Sequence, residues 1–99
     1  MTLAEILDRA AADLDAVERV EVVNGVEWRR TGRAFAALSG SRAEFRLPAI
    51  VGRAALGTPS TSGSERGAEW VALAPPDLDR MAMDRAVAWF VAAWRHVVD

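Results

Sequence analysis

The sequence predicts an α+β domain in which one antiparallel sheet of about four to five strands carries helices mainly on one face. Three observations predict it. Apolar residues recur every three or four positions near both ends of the chain, they recur every second position in between, and turn dipeptides separate the alternating runs. Connections that short join antiparallel neighbours, because parallel strands need a crossover of a dozen residues or more. At 99 residues, with 52% hydrophobic and 26% charged side chains, the chain is one globular domain spanning 1–99. A domain of this size buries roughly 60–65% of its unfolded surface, enough for one core but not for a core and a deep enclosed cleft.

The first element is a helix predicted over about residues 2–18. Leu3, Ile6, Leu7, Ala10, Leu14 and Val17 share one side of it, and Thr2 with Glu5 has the spacing of a capping box. From residue 20 to 47 the period is two. Asn24-Gly25 supplies the positive φ angles of a tight hairpin, Thr31-Gly32 and Ser39-Gly40-Ser41 supply two further turns, and a meander of three or four strands results. Val26, Trp28 and Arg30 point to one side of the meander, and Glu27, Arg29 and Thr31 to the other. Ala43, Phe45 and Leu47 alternate in the same way against Arg42, Glu44 and Arg46. Pro48 opens a short helix that Gly57 closes. Residues 58–67 (TPSTSGSERG) have almost no apolar side chain and read as an exposed, mobile loop, without the lysine of a phosphate-binding loop. Residues 69–73 form a further strand. Pro75-Pro76-Asp77 ends it and starts the last helix, with Asp77 and Asp79 near its positive end.

The last helix is more apolar than one buried side requires. Leu78, Ala82, Met83, Ala86, Val87, Trp89, Phe90, Ala93, Trp94 and Val97 fill about half of its circumference, whereas a surface helix needs a stripe of about 100°. The sheet covers one side; the first helix or a second copy of the chain must cover the other. Met83, Val87, Val91 and Trp94 are therefore the expected interface residues of a protein-binding or homodimeric surface. Of the four tryptophans, Trp28 and Trp94 are the ones expected at the margins of their elements.

The same composition argues against chemistry. There is no cysteine, and His96 is the only histidine, so no thiolate or multi-histidine metal site is predicted. The serines cluster in turns, and His96 reads as a residue of the last helical turn. The sequence points to no enzyme, no metal and no cofactor, and a pocket for a small apolar or aromatic ligand between the sheet and the last helix is a weaker third reading behind protein and nucleic-acid binding. All twelve basic residues are arginine, and the net charge is −2. Arg29, Arg42 and Arg46 are expected on the outward sheet face with Arg33 at its edge, an alternative surface for nucleic acid, with Glu27 and Glu44 beside them to pair with some of that charge. The chain reaches Glu5 and Asp8 before any apolar run, and its longest apolar run, residues 86–94, falls far short of the roughly 20 residues that cross a bilayer. A cytoplasmic protein without membrane contact is the expectation.

The element order, the strings Gly32-Arg33-Ala34-Phe35-Ala36-Ala37-Leu38 and Glu69-Trp70-Val71-Ala72-Leu73, and the long closing helix after Asp77 resemble the MmcQ/YjbR-like family of small bacterial domains. The resemblance spans most of residues 20–97 through short apolar strings. It implies a compact double-wing α/β fold, and it implies DNA binding, which is ascribed to some members on the basis of that fold. The chain departs from the family in its shorter length, its lack of lysine and its net acidity.

Overall fold

The computed structural model describes residues 1–98. Its elements are α1 (Leu3–Ala12), β1 (Glu18–Val22), β2 (Gly25–Arg30), β3 (Arg33–Ser39), β4 (Arg42–Arg46), α2 (Ala49–Leu56), β5 (Thr61–Ser64), β6 (Gly67–Leu73) and α3 (Arg80–His96). The six strands form one antiparallel sheet in the order β1-β2-β3-β4-β6-β5. All three helices lie on one face of it. α3 rests on β3 and β4, α2 rests on β5 and β6, and α1 packs beside α3. The predicted class is the observed one, with one strand more than the upper estimate.

Local chemistry accounts for most element ends. The capping box at Thr2 forms: the Thr2 N–H donates to Glu5 Oε1 at 2.8 Å, and the Glu5 N–H to Thr2 Oγ1 at 3.2 Å. Asp79 caps α3 by accepting from the Ala82 N–H at 2.8 Å. Thr31 and Gly32 both take positive φ, 50° and 79°, which gives the β2–β3 turn the twist a two-residue hairpin needs. At the first hairpin the turn falls on Val23-Asn24 instead. Gly25 opens β2, and a Cβ there would stand 1.9 Å from the Leu38 carbonyl oxygen. Its glycine serves close approach of β2 to β3.

Two element assignments are corrected. The first helix ends at Ala12, not near 18. Asp13 and Asp15 place negative charge at its negative end, and Ala16 takes φ 58°, which breaks the helical path. Leu14 and Val17 still pack on the core, but from the turn that follows the helix. Residues 58–67, expected as a mobile loop, contain β5 and the β5–β6 turn. Backbone pairing and hydroxyls hold this segment without apolar burial. Thr58 Oγ1 and Thr61 Oγ1 donate to the Ala55 carbonyl at 2.7 and 2.8 Å, and the Ala74 N–H donates to Ser60 O at 3.0 Å.

The core lies between sheet and helices. Trp28, Phe35, Phe45, Phe90, Leu7, Leu47, Leu73 and Val97 are fully buried in it. Phe90 is its hub, meeting Phe35 edge-on at 5.1 Å between centroids and Trp28 at 5.5 Å. Trp28, expected at a margin, has no exposed surface. A bulge explains how β3 buries both Phe35 and Ala36. Trp28 faces Ala36 while Arg29 faces Ala34, so Phe35 has no residue opposite it and the alternation resets.

Candidate functional site

Three surfaces place the residues that the sequence singles out. The first is the outer side of the helical layer. α1 and the sheet cover most of the apolar arc of α3: Ala82, Ala86, Trp89, Phe90 and Ala93 are buried. Met83 and Val91 remain half-buried, and Val87 is 38% exposed. Met83 and Val87 line a shallow groove of about 370 Å³ between α1 and α3, together with Ile6 and Ala10. Both charge signs rim it, with Arg9 and Arg80 against Asp13 and Asp84. Val91 continues the strip one helical turn further along.

Trp94 does other work. Its Nε1–H donates to the Asp15 carbonyl at 2.8 Å, and the Arg30 guanidinium lies 3.9 Å from its ring centroid. Arg30 Nη1 also donates to the Trp94 carbonyl at 3.0 Å, so this side chain ties the end of α3 to the sheet and to the α1–β1 connection.

The second surface is the open face of the sheet, which no helix covers. One row crosses all six strands: Val20, Glu27, Ala37, Glu44, Ala72 and Ser62. Glu27 and Glu44 flank the small Ala37, and Arg66 from the β5–β6 turn spans the gap. Its Nη1 lies 3.0 Å from Glu27 Oε2 and its Nε lies 3.3 Å from Glu44 Oε1. Arg29 adds a second cation at 2.8 Å from Glu27 Oε1, and Ser64 Oγ donates to Glu44. Arg66 further sits 5.2 Å from the centroid of the Trp70 ring. The Glu27 carboxyl is held below the ordinary glutamate value, first by its bonds from Arg29 and then by those from Arg66, against the opposing effect of burial.

The arginines expected as a basic stripe are thus largely neutralised. Arg29 pairs with Glu27, and Arg46 pairs with Glu69 at 3.0 Å. Glu69 also meets His96 Nε2 at 3.1 Å, and these two partners, His96 foremost, hold its carboxyl below the ordinary value. Among the described residues Arg42 makes no ion pair; it lines a shallow recess with Ser39, Glu44, Glu65 and Arg66. Arg33 is not on this face. The bulge at Phe35 turns it to the helical side, where its Nη1 donates to the Val97 carbonyl at 3.0 Å, at the negative end of α3. That placement corrects the expectation. Arg66, the cation that organises the open face, sits in the segment that sequence reasoning set aside as a loop. Its turn position between Glu65 and Gly67 carries no signal for a bridging role.

The third surface is the free edge of β1, at the end of the sheet. Four of its five residues are exposed.

No group of three or more histidine, aspartate and glutamate side chains is placed to share a metal among the described residues. No helix among them is long and apolar enough to cross a membrane. Compared with protein-family models, with curated proteins and with solved structures, the chain finds no match.

Proposed function

We propose that the protein is a non-catalytic interaction module that docks another protein along the α1–α3 groove and the adjoining ridge of α3, with Met83, Val87 and Val91 as the apolar contacts. One observation carries this reading. Val87 keeps 38% of its surface in the middle of α3, and it opens onto a groove with an apolar floor and a rim of mixed charge. An apolar strip with a polar rim is the usual anatomy of a docking surface, and an amphipathic segment of a partner suits a groove of this size. A cytoplasmic setting fits this reading.

The alternative is nucleic-acid binding on the open sheet face, which is also where the MmcQ/YjbR-like resemblance leads. It has less support. Affinity grows with the number of phosphates neutralised, and of Arg29, Arg33, Arg42 and Arg46 only Arg42 lacks an internal partner among the described residues.

A photo-crosslinking amino acid placed at Val87, at Val91 or at Arg42 in the producing cell separates these readings. Discrete protein adducts from positions 87 and 91, with none from 42, are expected. Adducts at twice the chain mass identify a second copy as the occupant. Nucleic-acid adducts from position 42, with positions 87 and 91 silent, overturn the proposal.

A further inference from the structure

The free edge of β1 carries backbone groups that no strand meets among the described residues. Val22 and Gly25 flank a two-residue turn, so they exchange both backbone bonds across the hairpin, and the pattern then alternates along the ladder. Val22, Val20 and Glu18 therefore bond to β2. Arg19 and Glu21 direct their N–H and C=O groups outward, where no strand meets them. Their side chains also face solvent, with 44% of Arg19 and 84% of Glu21 exposed. The opposite edge is a poorer template. β5 has four residues, a bulge at Gly63/Ser64, and a Ser64 side chain already committed to Glu44.

We propose that two copies of the chain join β1 to β1 in antiparallel fashion about a two-fold axis through Val20, forming one continuous sheet. The strand sequence Glu18-Arg19-Val20-Glu21-Val22 selects both the partner and the register. With the axis at Val20, Arg19 stands opposite the partner's Glu21 and Glu21 opposite the partner's Arg19, and these pairs exchange the four outward backbone bonds. Val20 meets the partner's Val20, and the exposed Val22 is covered by the stem of the partner's Glu18. The neighbouring registers that keep the sheet faces aligned fail on charge. An axis at Arg19 sets two arginines face to face, and an axis at Glu21 sets two glutamates face to face, and like charges directly opposite are destabilising. Arg19 already lies 3.1 Å from Asp8 and 3.9 Å from Glu21 of its own chain, so the partner's carboxylate completes an alternating square of charge.

The test is an exchange of charge, read by sedimentation velocity. Wild type should run as a dimer. R19E and E21R should each associate at least about tenfold more weakly, since each turns two attractive cross-strand pairs into repulsive ones. Mixed in equal amounts, the two variants should regain the dimer, because each reversed side chain then faces its opposite. Circular dichroism checks that both remain folded. A wild type that is monomeric at every concentration overturns the proposal, as does a mixture no heavier than either variant alone. The proposal does not rest on the α1–α3 reading. Val87→Glu should leave the β1 dimer intact, so either can fail without the other.

Discussion

Glu27→Gln dissects the open sheet face with the least disturbance of shape. The carboxylate accepts from Arg29 Nε at 3.1 Å, Arg29 Nη2 at 2.8 Å and Arg66 Nη1 at 3.0 Å, and only 15% of the side chain is exposed. Glutamine keeps the volume and one acceptor but removes the charge that all three bonds share. Hydrogen bonds to charged groups contribute about 1.5–3 kcal/mol net when well buried. Here both guanidinium side chains are about one third exposed, 35% for Arg29 and 32% for Arg66, and they rehydrate when released. The expected loss is about 1–2 kcal/mol. Its pH dependence has a defined sign. The folded-state value of Glu27 lies below the ordinary glutamate value, so the stabilisation is fully present above that ordinary value and is lost as the pH falls through the lowered one. Urea titration followed by circular dichroism should show a wild-type advantage at neutral pH that shrinks as the pH falls below the ordinary glutamate range. A gap below about 0.3 kcal/mol at neutral pH, or one that persists in acid, would refute the role assigned to this carboxylate.

Gly25→Ala should destabilise by about 2 kcal/mol or more, because its Cβ meets the Leu38 carbonyl and β2 must part from β3. Gly32→Ala has nothing within 4 Å and should cost only the roughly 1–2 kcal/mol of its positive φ; melting temperatures that fail to separate the two would be the contrary result. Trp28→Phe should stay within about 1 kcal/mol of wild type, since it removes a buried Nε1–H that has no acceptor among the described residues, while Trp28→Ala should lose about 3–5 kcal/mol. A loss for Trp28→Phe well above about 1 kcal/mol would be the contrary result.

What the sequence disclosed follows from where the information sits. Thr2 with Glu5, Thr31-Gly32 and Pro48 act on backbone within a few residues of themselves, so their elements were legible. The end of α1 was not, because Leu14 and Val17 keep helical spacing while burying themselves from a turn. β5 was missed because its ladder is held by backbone and hydroxyl bonds, which leave no apolar period. Arg33 lies on the other face because of a bulge at Phe35, which packs against Phe90, and alternation cannot reveal a register shift of that kind. For the candidate surfaces, the exposed Val87 and the pairing of Glu27 were readable from periodicity. The withdrawal of Trp94 into internal bonds, and the entry of Arg66, required the strands to be brought together first.

The helical layer that covers the sheet is stitched from the two ends of the chain. β1 to β4 follow one another in space as they do in sequence, whereas α1 and α3 meet only after the whole sheet has been traversed. Closing short turns costs little chain entropy, and bringing distant ends together costs more. The hairpins are therefore expected to assemble ahead of the lid that shields them. A partly folded chain is one whose aromatic floor of Trp28, Phe35 and Phe45 lies open to water while α1 and α3 search for each other. How long that floor stays bare depends on the order in which the contacts form, and apolar surface exposed in that interval is what makes a partly folded chain prone to aggregate.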